Sequence, residues 1–128
     1  MSMIKENLFY TKSHEWVEVA DGIAHIGITD HAQGELGDLV FAEAVPAGRH
    51  VTPGQTVGAV ESVKVAADIV SPLTGEIIES WPDIGDSLEK ISADPYGVWF
   101  VAVRMDDPAE LDTLMDAVAY EAFCAAGG

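Results

Sequence analysis

The chain has 128 residues, and 22 aspartates and glutamates against 6 lysines and arginines leave a formal charge of −16. That length suits one domain with a real core, and 48% apolar residues are too many for a disordered acidic tail. A field this negative repels phosphate backbones and anionic lipid heads, which argues against nucleic acid and membrane surfaces as partners and for basic protein surfaces or cationic small groups.

The opening MSMIKENLFY has no long apolar core and no Arg-rich amphipathic stretch, so it reads as neither a signal nor a transit peptide. No apolar run approaches the ~20 residues of a membrane span. The expected setting is therefore a reducing compartment, as for a soluble cytoplasmic protein. Polar and apolar residues alternate from Glu15 to Ala20 and from Ile23 to Ile28, and Asp21-Gly22 between them is a hairpin turn signal. Thr29 or Asp30 is placed to cap a short helix ending at Gly37. Further strands are expected over Leu39–Val45, Thr56–Glu61, the stretch from Lys64 to Val70, Gly75–Trp81 and Val98–Met105. Pro53-Gly54, Ser71-Pro72, Pro82–Gly85 and Asp94–Gly97 punctuate them. A weak internal echo places Val51-Thr52-Pro53-Gly54 and Ser71-Pro72-Leu73-Thr74-Gly75 at similar distances on either side of Lys64.

The tail changes period. Asp107 suits an N-cap, Pro108 the first helical position, and Glu110 lies three residues past the cap. Leu111, Leu114, Met115, Val118 and Ala122 recur at helical spacing, which predicts one amphipathic helix over about 107–123. The expected architecture is mainly β: one domain over 1–128, a flattened barrel or sandwich with its core over about 7–106, one short helix and the terminal helix.

The usual catalytic patterns are missing. His14-Glu15 is followed by no second histidine at zincin spacing, His25 and His31 are poorly spaced for a shared metal, and Gly34 and Gly37 lack the rest of a phosphate loop. No metal site is expected. Cys124, the single cysteine, excludes an internal disulfide and reads as an incidental thiol. Lys64 stands out as the only cation between Arg49 and Lys90, flanked by strand-like segments and turns. That places it near the tip of a central hairpin, where a modifying enzyme can reach its amine. Spacing alone leaves open an ordinary solubilising lysine.

Five segments, taken in order, resemble the glycine cleavage system H-protein family. They are Tyr10-Thr11-Lys12-Ser13-His14-Glu15-Trp16; Gly27-Ile28-Thr29-Asp30-His31-Ala32-Gln33 with Leu36-Gly37-Asp38-Leu39-Val40-Phe41; Glu61-Ser62-Val63-Lys64 through Asp68, with Ser71-Pro72 and Gly75-Glu76; Asp94-Pro95-Tyr96-Gly97; and Ala119-Tyr120-Glu121-Ala122-Phe123. The resemblance covers about residues 7 to 123. Two departures are local: Ala67 stands where serine is common in the family, and the Gly97-Val98-Trp99 segment is about one residue short.

The resemblance implies a lipoyl-domain (barrel-sandwich hybrid) fold and a covalent carrier that is not itself an enzyme. Lipoic acid would be amide-linked to Lys64. The partners implied are a pyridoxal-phosphate glycine decarboxylase, a tetrahydrofolate-dependent aminomethyltransferase, dihydrolipoyl dehydrogenase and the lipoate-attaching enzymes, with the carrier a monomer. By position, Ser13, Glu15 and Asp68 match the residues that receive the loaded arm; Glu15 and Asp68 would pair with its ammonium and Ser13 would accept a hydrogen bond. Outside the family, Glu15 is equally an outward strand residue and Asp68 a hairpin cap. Val63 and Val65 flank Lys64 where biotinyl modules usually carry methionines, and acyltransferase lipoyl domains lack the terminal helix. A lipoate relay that donates lipoyl groups to 2-oxoacid dehydrogenases is the alternative role.

Overall fold

The computed structural model describes residues 3–128; Met1 and Ser2, the start of the segment read as leaderless, lie outside it. The chain begins with β1 (Phe9–Tyr10), β2 (Glu15–Ala20) and β3 (Ile23–Ile28), the last two in a hairpin that pairs Ala20 with Ile23. Asp21 and Gly22 close it with φ of 53° and 78°. Two consecutive left-handed residues match the twist of the flanking strands, which is why an Asp-Gly pair is needed there. Helix α1 (Asp30–Leu36) starts at Thr29, whose Oγ1 accepts from the Ala32 amide at 3.2 Å, and stops at Gly37, with φ 79°. Of the two candidate caps, Thr29 does the work.

Strands β4 (Leu39–Ala44), β5 (His50–Val51), β6 (Thr56–Ser62), β7 (Ala66–Val70), β8 (Gly75–Ser80) and β9 (Val101–Met105) complete two antiparallel sheets among the described residues. The larger has the order β1-β2-β3-β9-β8-β5 and the smaller β4-β6-β7. Val17, Ile26, Ile77, Val101 and Val103 face Ala42, Val57, Val60 and Ile69 across a shared apolar interior. This is the flattened two-sheet sandwich expected from the sequence. The two turn segments of the internal echo meet directly: the Gly54 amide donates to Ser71 O at 2.8 Å, and the Ser71 amide to Gln55 O at 2.8 Å.

Three expectations need correction. Residues 98–100 lie outside β9; Val98 and Phe100 are nonetheless buried, and the Phe100 amide still donates to Ile26 O at 2.7 Å. A further helix, α2 (Leu88–Ala93), buries only Ile91 of its six residues, too short a stretch to show a period in the sequence. The single terminal helix is two pieces, a 3₁₀ segment (Pro108–Thr113) capped by Asp107 and α3 (Ala117–Ala125) capped by Asp116. Met115 causes the break. Its amide and carbonyl pair with Tyr10 at 2.9 and 2.8 Å, so it serves a β-bridge instead of a helix turn. Val118 and Ala122, read as the apolar face, are exposed, and Tyr120 is the buried anchor of α3.

A second apolar cluster of Leu8, Tyr10, Trp16 and Tyr120 seats α3 on β1 and β2. The Tyr10 and Tyr120 rings stack at 4.5 Å and 4°. Gly27 gives Trp16 its room, since a Cβ there would lie 2.6 Å from the indole, whose Nε1 donates to Pro95 O at 3.1 Å. No helix among the described residues is long and apolar enough to cross a membrane.

Candidate functional site

Lys64 sits at the exposed apex of the β6–β7 hairpin, between Val63 and Val65, which are 74% and 47% exposed. The apex is fixed by backbone and side chain together. The Ser62 amide donates to Val65 O at 2.8 Å. Ser62 Oγ accepts from the Lys64 amide at 3.3 Å and the Val65 amide at 3.1 Å, and donates to Val65 O at 3.2 Å. The Val63 amide donates to Asp38 O at 3.2 Å, tying the apex to the α1–β4 connection. The Lys64 stem lies over Gly37, where a Cβ would come within 3.6 Å of Cε. The hairpin thus presents the Lys64 amine from a hydrogen-bonded backbone.

Beside it lies a cleft of about 180 Å³ between β7, α1 and the β1–β2 connection. Ser13, Glu15 and Asp68 all line it, with Val65 from the hairpin apex and Ile28, Leu36, Val60 and Ile69 as apolar walls. Asp68 is exposed on β7, opposite Ala59. Glu15 is 2% exposed, so the outward-facing alternative for it fails. Its Oε1 accepts from Thr11 Oγ1 and Ser13 Oγ, both at 2.6 Å, and Oε2 faces the Val70 amide at 3.4 Å. Ser13 therefore spends its proton on Glu15. Burial raises the Glu15 carboxyl above its ordinary range, and the hydrogen bonds from Ser13, Thr11 and Val70 pull it partly back. A second cleft of about 400 Å³ reaches Ser13 and Glu15 from the side of Pro53, Gly54 and Met115.

Sequence reasoning did not assign Thr11 and Ser62, although both stand inside the quoted motifs; a small hydroxyl next to a buried carboxylate or a turn is the only signal either gives. Next to Glu15, His14 is held at φ 67° and stacks on His31 with ring centroids 4.4 Å apart. Its Nδ1 is hydrogen-bonded to Tyr120 Oη at 2.7 Å, and Tyr120 Oη also meets Thr29 Oγ1 at 2.7 Å. Burial, then the nearby His31, lowers the His14 pKa, with Glu35 acting in the opposite sense.

Lys64 is thus exposed on a hydrogen-bonded apex, beside a cleft into which Glu15 brings a buried carboxyl. Residues 8–127 match the family model described as Glycine cleavage H-protein. The chain belongs to the glycine cleavage H-protein family. Relatives called glycine cleavage system H protein include one from Burkholderia ambifaria, 49% identical over 121 residues, covering 94% of this chain and 96% of that one. Another, from Pseudomonas aeruginosa, is called glycine cleavage system H protein 2 and is 46% identical over 129 residues, covering all of both chains. The crystal structure of a glycine cleavage system H protein from Mycobacterium marinum superposes with a TM-score of 0.86 at 34% identity, covering 95% of this chain and 99% of that one. The H-protein fold therefore extends through the terminal helix.

Proposed function

We propose that this chain is the lipoyl carrier of a glycine cleavage system, a substrate-bearing subunit and not an enzyme, working as a monomeric single domain with Lys64 as the attachment residue. The observation that carries the reading is the exposed lysine on a hydrogen-bonded hairpin apex, next to a cleft in which Glu15 is buried. Bound as an amide, lipoic acid supplies a disulfide that takes up the aminomethyl group of glycine and two electrons and yields them to other enzymes.

The protein's own residues do the rest. Ser62 and the Asp38 carbonyl fix the backbone of the apex, so that attaching enzymes meet a preformed loop. The cleft offers Glu15 and Asp68 to an aminomethyl ammonium, in a partly dry site where opposite charges attract more strongly than in water. Thr11 and Ser13 hold the Glu15 carboxylate in place, and Ser13 Oγ, having donated to Glu15, keeps lone pairs with which to accept from the ammonium. Ile28, Leu36 and Val60 screen water from the cargo and slow its hydrolysis. The −16 charge favours docking on basic rims of the decarboxylase, the aminomethyltransferase and dihydrolipoyl dehydrogenase. A relay that only hands on lipoyl groups needs the exposed lysine but not the buried carboxylate, so the cleft favours the glycine role.

Reconstitution tests it. The lipoylated chain, mixed with a glycine decarboxylase, is expected to support exchange of labelled bicarbonate into the glycine carboxyl, and the Lys64→Ala chain is not. Lipoylation without exchange would assign the chain to the relay role.

A further inference from the structure

At His14, a residue that also lines the carrier cleft, three ligand-type side chains converge from elements distant in sequence. His14 comes from the β1–β2 connection, His31 from α1 and Cys124 from α3, and a donor atom of each lies within 4.8 Å of the others. We propose that His14, His31 and Cys124 form a binding site for a thiolate-preferring divalent cation, with Zn²⁺ the class of ion it would take.

Two imidazoles and a thiolate match the borderline-soft character of zinc. Bonds of about 2.0–2.3 Å at tetrahedral angles set donors about 3.3–3.7 Å apart, so closing from 4.8 Å asks for side-chain rotation and not backbone movement. An independent observation points the same way. His31 Nε2 is buried with no hydrogen-bond partner, an atom that ordinarily needs one. Glu35 Oε1 stands 3.2 Å from it but off the N–H axis, near enough to serve as a fourth ligand. His14 is oriented by the Nδ1–Tyr120 hydrogen bond, which leaves its Nε2 for the ion, and Tyr120 is held in turn by Thr29, an outer shell of the kind metal-bound histidines use. On binding, the Cys124 S–H bond gives way to an S–metal bond and the proton leaves to solvent. The ion would join α3 to α1 and to the residue preceding Glu15, bracing the cleft wall that His14 and Glu35 help to form; neither Lys64 nor the lipoyl group takes part.

The test uses the full-length, tag-free chain after chelator treatment, titrated with Co²⁺ as a spectroscopic probe and with Zn²⁺ in competition. The expected result is one cation per chain, a thiolate-to-cobalt charge-transfer band and tetrahedral d–d bands, all displaced by Zn²⁺. Cys124→Ser, a near-isosteric substitution at a half-buried position beside the Tyr10–Tyr120 cluster, should abolish the charge-transfer band. His31→Gln should weaken Zn²⁺ binding by about tenfold or more. A cobalt spectrum without the thiolate band, or Zn²⁺ affinity unchanged in both variants while circular dichroism shows them folded, would overturn the site and leave only loose binding at surface histidines such as His50.

Discussion

Ser62→Ala isolates what holds the carrier lysine in place. The substitution removes an oxygen that accepts from two amides at 3.3 and 3.1 Å and donates to a carbonyl at 3.2 Å. Each contact is at the long end of the hydrogen-bond range or just beyond it, and all three are only part-buried. The Ser62–Val65 backbone bond and the Val63–Asp38 bond remain. The net loss should therefore be about 1 kcal/mol, the size of one ordinary hydrogen bond. For a chain of this size that lowers Tm by about 3–5 °C. If the same energy is what preforms the apex for an attaching enzyme, kcat/KM for lipoylation falls by up to about fivefold, mostly through KM. Differential scanning calorimetry and a lipoylation time course read the two effects. An unchanged Tm together with unchanged lipoylation kinetics would refute the claim that Ser62 makes the apex rigid.

Other substitutions probe the cleft and its supports. Glu15→Ala is expected to leave attachment at Lys64 intact but to shorten the lifetime of the aminomethyl-loaded carrier, measured as release of formaldehyde and ammonia; an unchanged lifetime would remove Glu15 from the cleft chemistry. Burial raises the Glu15 pKa in the folded state, so the folded protein binds the proton more tightly than the unfolded chain. Its contribution is full below the unfolded value near 4.5 and is lost as pH rises through the folded one. With EDTA present, wild type should therefore lose stability relative to Glu15→Gln as pH rises above the unfolded value near 4.5; a gain would reverse the sign of the shift. Gly27→Ala drives a methyl to 2.6 Å from the fully packed Trp16 indole and should cost about 2 kcal/mol or more by urea denaturation. Tyr120→Phe keeps the stack on Tyr10 but strips a partner from both His14 Nδ1 and Thr29 Oγ1, a loss of about 1–3 kcal/mol in the same assay.

Most of the architecture was legible wherever local chemistry and tertiary packing agree. The β2–β3 hairpin followed from alternation plus Asp21-Gly22, and α1 from Thr29 and Gly37. What failed to show was decided by partners remote in sequence. Two-residue β1 and β5 are too short to alternate, and α2 buries a single isoleucine. The stripe Leu111, Leu114, Met115 and Val118 has helical spacing, yet Tyr10 takes the Met115 backbone into a bridge and breaks the run. At the site, the five family motifs brought Ser13, Glu15, Lys64 and Asp68 into view, and the fold gathers Ser13, Glu15 and Asp68 around one cleft beside the Lys64 apex. Burial of Glu15 was not legible, because on a strand an acid next to Trp16 reads as the solvent face. The pairing of His14 with His31 was equally hidden, since only the packing of α1 against the β1–β2 connection brings those rings together.

Intact-protein mass spectrometry after incubation with a lipoate-attaching enzyme and lipoate puts the carrier claim to its shortest trial. Wild type should gain the mass of one lipoyl group, and Lys64→Arg, which keeps the charge but not the amine, should gain nothing. A lipoyl adduct on the arginine variant, or none on the folded wild type, would contradict the account.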